Sequence, residues 1–291
     1  MNTFLKLSLR IVLLIVLIAV ALDISYTSIY KQSTSRGKID KVYSSSACKY
    51  DVIVLGSSRA NNHFVSELFE KQGYKTFNFG TSGSQLFEAD LLLKLMIERK
   101  YKIKNLIIVV DLSLSNDHRA DGSASKFLPY IHDSEIVRKH FEKESDYDYL
   151  YFVPFYRYIK YDAQIGFRET FFSAIKKKSK LLNNGGYYAL DNQIKGNMQN
   201  DITNLEPLPH NKYYEDIKAI CKSNNIRLIS VMTPMCENTR GINYFEKVKE
   251  AYPEIYNYEN AVIEDRYFSS CGHLNDTGAR KFTKVILNDF F

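Results

Sequence analysis

Apolar residues are laid out along this chain in distinct ways from one region to the next. From Ile11 to Leu22 they run without a charge. After Asp51, and again toward the C-terminus, short β-branched runs alternate with stretches of helical spacing. Between those two regions the apolar residues are largely aromatic and keep neither rhythm.

The alternating regions predict a layered α/β domain. "DVIVLG" is a β-branched run ending on Gly, as a central parallel strand buried on both faces should be. "VSELFEKQGY" is spaced as a helix, "KTFNFG" as a second strand, "SQLFEADLLLKLMIERKY" as a helix and "NLIIVVDLS" as a third strand. Later, "KYYEDIKAICKSNN" predicts a helix feeding the strand "IRLISVMTP", with "INYFEKVKEAY" as another helix. Strands alternating with helices imply a doubly wound parallel sheet, whose ligands bind beyond the carboxyl ends of the strands. From about 117 to 209 the rhythm lapses into Gly- and Pro-punctuated aromatic segments, expected to form a helical insertion over the catalytic edge. Its aromatics, Tyr149, Tyr151, Phe155, Tyr156 and Tyr158 among them, are read as core before they are read as sugar-stacking surfaces.

The N-terminus carries a different signal. Lys6 and Arg10 precede the apolar run, and basic residues there hold that end in the cytoplasm, so that the chain beyond the run is exported. Two outcomes compete. Leu5 to about Tyr30 can span as an uncleaved anchor, with Asp23 near the outer interface, because a bilayer asks for about 20 apolar residues and flanking cations can snorkel. Alternatively, Ala19-Val20-Ala21 serves as a cleavage signal and releases a soluble domain at the periplasm or cell surface. The anchor is preferred, since Ile24, Tyr26, Ile29 and Tyr30 prolong the apolar character. The expected organisation is an anchor or signal segment at 1–30, a polar Ser-rich tether at 31–49 and one domain at 50–291.

Composition adds mainly exclusions. The 45% hydrophobic and 25% charged content rules against wholesale disorder. The net charge of +6 comes from interleaved charges, and the one basic cluster, Lys176-Lys177-Lys178 with Lys180, is read as a solvated helix face. Nothing points to a nucleic-acid partner. Cys48, Cys221, Cys236 and Cys271 form no C-x-x-C pair, and the histidines show no ligand spacing, so neither a metal nor another cofactor is expected. A Cys236–Cys271 disulfide is not expected, though connectivity stays open.

Three segments carry candidate chemistry. Ser57 and Ser58 sit where the first strand ends, the place for a nucleophile that needs a base and oxyanion donors close by. "FNFGTSGSQ" ends the second strand in a Gly-rich loop able to bring backbone N–H groups near a ligand. In "SSCGHLNDTGARKF", His273 stands in a polar loop before a terminal helix that Asn275 or Asp276 can cap. Arg59 suits an anionic substrate group or a structural ion pair, and Asp111, ending the third strand, suits an orienting or capping role.

Together these segments resemble the SGNH/GDSL hydrolase superfamily. Gly56-Ser57-Ser58 matches that family's Gly-Asp-Ser block, with Ser57 in place of Asp. Asn78, Gly80 and Gly83 match its Asn-x-Gly-x-x-Gly block, Ser115-Asn116-Asp117 resembles its Gly-x-Asn-Asp block, and His273 with Leu274-Asn275 and Gly278 matches its last block. The resemblance implies a flavodoxin-like, SGNH-type sheet, Ser58 as nucleophile, His273 as base, and Gly83 N–H with Asn116 as the oxyanion hole. It covers about 50–115 and 210–291 and leaves the insertion out. The departure is Ser270, where the family has its acid. Three arrangements stay open: a Ser58–His273 dyad with a backbone carbonyl orienting the ring, a substitute carboxylate with Asp265 the nearest upstream, or a degenerate site in a glycan-binding or other non-catalytic envelope protein. The implied activity is removal of O-acyl groups from an envelope glycan or other ester substrate, with acyl transfer to polysaccharide as the neighbouring alternative.

Overall fold

The computed structural model describes residues 2–34, 36–192 and 198–291. Helix α1 (Asn2–Lys31) carries the apolar run, and α2 (Lys38–Ser44) comes after it. Strand β1 (Lys49–Leu55) leads into α3 (Ser58–His63) and α4 (Ser66–Lys71), and β2 (Thr76–Asn78) into α5 (Leu86–Glu98). Strand β3 (Lys102–Val109) ends at a 3-10 turn, Asp111–Ser115. Short helices fill the next stretch: α6 (Asp121–Ala124), α7 (Glu135–Phe141), α8 (Tyr147–Phe152), α9 (Tyr156–Lys160), α10 (Asp162–Ile165) and α11 (Phe167–Ala174). Then come β4 (Asn200–Asp201), α12 (Lys212–Ser223), β5 (Arg227–Met232), β6 (Thr239–Arg240), α13 (Tyr244–Ala251) and β7 (Tyr256–Asn257). The chain closes with β8 (Phe268–Ser270), β9 (His273–Leu274) and α14 (Asp276–Phe290).

The fold is mixed α/β around a parallel five-stranded sheet, ordered β2-β1-β3-β5-β7. Both faces are covered, which explains why β1 and β3 are continuous apolar runs and do not alternate. Ile53, Leu55, Leu106 and Ile108 face a core built with α5, α12 and α13. Val52, Val54, Ile107 and Val109 face a second core built with α3, α4 and α14. Helix α14 shows the stripe this requires, with Ala279, Phe282, Thr283, Ile286 and Leu287 buried at helical spacing. Asn275 caps it, its Oδ1 accepting the Gly278 N–H at 3.0 Å.

Register lines the strand ends up. Val54 pairs with both Asn78 and Ile107, and Val109 pairs with Val231. The segments after β1, β2, β3 and β5 therefore leave the sheet along one edge, bringing Ser58, Gly80–Gly83, Asp111 and Thr233 within one neighbourhood.

Two expectations about chain organisation change. The 31–49 segment is not simply a polar tether: Lys38, Ile39, Asp40 and Val42 of α2 are buried, because Ile39 and Val42, three apart, present an apolar face to the core. The aromatic stretch expected as a helical insertion at 117–209 carries α-helices only from Asp121 to Ala174, with 193–197 outside the described residues, and it shares the main core, to which Phe127, Tyr130, Phe141, Leu150 and Tyr158 belong. Among the candidate stacking tyrosines, Tyr158 is buried, Tyr151 and Tyr156 are partly buried against the core, and Tyr149 is exposed. Helix α1 is long and apolar enough to cross a membrane.

Candidate active site

The turn that carries Ser58 begins where β1 can no longer continue. Gly56 takes φ +132°, and a Cβ there would lie 2.8 Å from the Val109 carbonyl, so only glycine lets β1 turn this close to β3. Ser57 caps α3, its Oγ accepting the Arg59 N–H at 3.3 Å. Ser58 opens the first turn of α3, half-buried, with its Oγ 2.8 Å from His273 Nε2.

Asn78 ties that turn to the glycine loop. Its Nδ2 donates to the Ala60 and Phe64 carbonyls at 2.7 and 3.0 Å, and its Oδ1 accepts the Gly80 N–H at 2.9 Å. Gly80 packs so closely that a Cβ would sit 2.4 Å from the Asn61 nitrogen. The Thr81 N–H and Ser84 Oγ both donate to the Gly56 carbonyl. Gly83 lies at φ +76° with open space beside its Cα, and its carbonyl accepts from Ser123 Oγ at 3.0 Å. Its backbone is thus fixed from one side and uncrowded on the other.

Beneath the serine lies a buried polar network that sequence reasoning only half found. Arg59 Nε is 3.1 Å from Asp111 Oδ2, which makes the pair structural and takes Arg59 away from any substrate role. Thr233 joins them: its N–H donates to Asp111 Oδ1 at 2.6 Å and its hydroxyl to Asp111 Oδ2 at 3.0 Å. That hydroxyl also accepts from Arg59 Nε at 2.9 Å and contacts His63 Nδ1 at 3.1 Å. The Leu274 N–H donates to His63 Nε2 at 3.0 Å, so Nε2 is bare and Nδ1 carries the ring proton that goes to Thr233. One hydroxyl hydrogen and two lone pairs are then all used. Burial pushes the Asp111 carboxyl up, against the opposing pull of Arg59 and the Thr233 bonds. Burial first, then the Arg59 charge, holds His63 well below the ordinary histidine range. Thr233 stands at the end of β5 as Ser58 stands beyond β1, and the same strand-end rule could have drawn attention to it.

His273 arrives from the far end of the sequence on the antiparallel β8–β9 pair. Its Nδ1 is 3.4 Å from Ser270 Oγ, a long contact to a hydroxyl. Asp265 does not substitute: it lies in a 3-10 turn, its Oδ1 is buried without a hydrogen-bond partner, and no carboxylate acts to raise His273. Burial, and then the Arg59 charge, lowers the His273 pKa, which keeps the ring neutral and able to accept a proton near pH 7. Contrary to expectation, Cys236 and Cys271 are joined, with Cα atoms 5.1 Å apart. The bond pins the turn before His273 to the loop after β5, the loop that also carries Thr233.

Asn116 follows the 3-10 turn that ends β3. Its Oδ1 accepts the His118 N–H at 3.2 Å and its carbonyl accepts Asn211 Nδ2 at 2.7 Å, which ties it to the start of α12. A cavity of about 420 Å³ abuts the glycine loop, walled by Tyr30, Lys38, Asn61, Gly80, Ser82 and Glu169. Lys38, 5% exposed, donates to Asn61 Oδ1 and the Gly80 carbonyl, both at 2.6 Å. Burial pushes its ammonium down to about 7. Among the described residues no cluster of acidic, His or Cys side chains could hold a metal.

No family model matches the chain, and no curated protein matches it. Among solved structures, one from Streptococcus pneumonia named for platelet activating factor aligns over 98% of this chain and 99% of its own, at TM-score 0.39 and 10% identity. A likeness that small leaves the reading of the site to its own geometry.

Proposed function

We propose that the protein is a membrane-anchored, serine-dependent esterase of SGNH type that acts on O-acyl groups outside the cytoplasm. One observation carries the reading: a hydroxyl at a strand-to-helix turn lies 2.8 Å from the Nε2 of a neutral, partly buried histidine, beside a glycine loop. The sheet order supports the doubly wound assignment, since its strands numbered within the sheet run 2-1-3-4-5. In the proposed reaction His273 Nε2 takes the Ser58 hydroxyl proton as Oγ attacks the ester carbonyl. The Gly83 N–H is the donor for the oxyanion, and the proton passes to the departing alkoxide. Water then enters by the same base and releases the acid from the acyl-serine. Lys6 and Arg10 before the apolar run favour an outward-facing domain, and with the family resemblance they make an envelope glycan the substrate class.

A fluorophosphonate probe tests this. Labelling should be lost in Ser58→Ala and kept in Ser57→Ala, and ester turnover should fall on the order of 10³–10⁶-fold in Ser58→Ala. If the folded wild-type protein is not labelled, the chain is a binding protein on a degenerate site. Product analysis with a glycan acceptor separates hydrolysis, which releases free acid, from transfer.

A further inference from the structure

Helix α11 is built inside out. Its buried positions are Thr170 and Ser173, while Phe167 and Phe171, with Ile175 just beyond its end, recur every fourth residue and are 70%, 50% and 56% exposed. A helix on a water-facing domain shows the reverse, apolar inward and polar outward. Helix α9 repeats the inversion: Arg157 and Tyr158 are buried, and Ile159 is 67% exposed. Phe152, ending α8, is exposed to the same degree. Large apolar side chains gathered on one stretch of surface mark a contact with something other than water.

What they contact is indicated by where the stretch is fastened. Asp23, the first charge after the apolar run of α1, accepts the Phe155 N–H at 2.7 Å and Arg157 Nη2 at 2.7 Å. Thr27 Oγ1 meets the Tyr158 hydroxyl at 2.8 Å, and Tyr26 packs on Phe155 and Tyr158. Helices α8 and α9 therefore sit where the apolar run of α1 ends, and α11 packs on α1 as well. Charge agrees. From 166 to 182 the chain holds Arg168, Lys176, Lys177, Lys178 and Lys180 against a single acid, Glu169, which Arg36 engages. A segment with an apolar face and a basic flank is the composition of an interfacial element on anionic lipid.

We infer that Phe152, Ile159, Phe167, Phe171 and Ile175 form a lipid-facing apron that beds the domain in the surface of the bilayer crossed by α1, with Lys176–Lys178 and Lys180 against anionic headgroups. This rests on α1 spanning the membrane and is independent of the catalytic reading. The lysine cluster then serves as more than a solvated face. Tyr30 of α1 and Glu169 of α11 both wall the cavity beside Gly80–Ser82, so the apron holds that cavity at the bilayer surface.

The chain contains no tryptophan, so a single one reports without background. Full-length Phe167→Trp and Phe171→Trp, reconstituted in bilayers of phosphatidylglycerol and brominated phosphatidylcholine, should show blue-shifted emission. They should be quenched by the bromolipid and protected from aqueous acrylamide. Tyr256→Trp, exposed on β7 at the sheet edge, should behave oppositely, and Leu17→Trp checks insertion of α1. If the 167 and 171 reporters match Tyr256→Trp while Leu17→Trp is quenched, the apron is overturned and the face passes to a protein partner. If Leu17→Trp is also unquenched, the spanning helix fails and the apron fails with it. Neither result bears on Ser58.

Discussion

Ser58 and His273 meet at 2.8 Å, yet the two are held by opposite means. On the serine side, Arg59, His63, Asp111 and Thr233 are all buried, and the Thr233 hydroxyl is saturated. On the histidine side, Nδ1 meets the Ser270 hydroxyl at 3.4 Å and no other hydrogen-bonding group among the described residues, and the turn is kept in place by a disulfide and by the Leu274–His63 hydrogen bond. The site does not lack a buried carboxylate. Asp111 neutralises Arg59 next to Ser58, and no carboxylate among the described residues acts on His273. Order at the serine is therefore electrostatic, and order at the histidine is covalent and backbone-borne.

The largest effect should come from breaking the ionic half. Asp111→Asn keeps the shape but strands the Arg59 guanidinium, one of whose nitrogens, Nη1, already has no partner. Removing one member of a buried pair costs about 3–5 kcal/mol, a fall in Tm on the order of 10 °C for a domain of this size. The pair Arg59→Met with Asp111→Leu should be less damaging than the sum of the singles, because no charge is left uncompensated. Thermal unfolding of the single and double variants checks this, and additivity would show that the two side chains act separately.

Breaking the covalent half should cost less in stability. Removing the Cys236–Cys271 bond by a Cys236→Ala, Cys271→Ala double change frees a loop of 35 residues' separation and should cost about 2–4 kcal/mol. The informative readout is the rate of fluorophosphonate labelling at Ser58 at a temperature where both forms are folded. It should drop in the double variant, because the His273 turn loses its staple. An unchanged labelling rate would assign the bond to stability alone.

The same division decides what could be read from the sequence. The sheet, the strand-end position of Ser58 and a helix cap at Asn275 or Asp276 were legible because they arise from local pattern: β-branched runs, small residues after them, an Asn-Asp pair before a helical stripe. Arg59 and Asp111 were visible as candidates, but their pairing needed β1 and β3 to be placed side by side. The strand-end rule could have found Thr233, whereas the parts played by His63 and Lys38 escaped because a lone His or Lys carries no periodic signal, and each matters only through partners far away in sequence. The Cys236–Cys271 bond was missed for a related reason, since nothing in the sequence says how far β8 and β9 fold back toward β5. Asn116 was named by a short motif, and the bond from Asn211 Nδ2 to its carbonyl, which ties it to the start of α12, needed the two segments placed side by side.

The smallest effect is the most pointed test of the comparison, since it supplies the histidine side with what it lacks. In Ser270→Asp a carboxylate would replace the hydroxyl nearest Nδ1. As the protein stands, burial and Arg59 lower the His273 pKa, so the base form persists below 6.5 and the acid limb of kcat/KM should lie on the acidic side of that value. An anion beside Nδ1 favours the imidazolium, which raises the pKa and moves the acid limb toward higher pH. It also stabilises the charge that forms on the ring as Ser58 gives up its proton. Loss of the Asp costs about 10⁴ in a serine protease triad. An Asp added to a turn not shaped for it should recover part of that, about 10- to 100-fold on the plateau. Ser270→Ala should change the plateau little, because a 3.4 Å contact to a hydroxyl orients the ring weakly. The pH–rate profiles of the three proteins on one soluble ester decide the matter. If Ser270→Asp neither moves the limb upward nor raises the plateau, Nδ1 is not waiting for a carboxylate, and the histidine side is complete as the disulfide holds it.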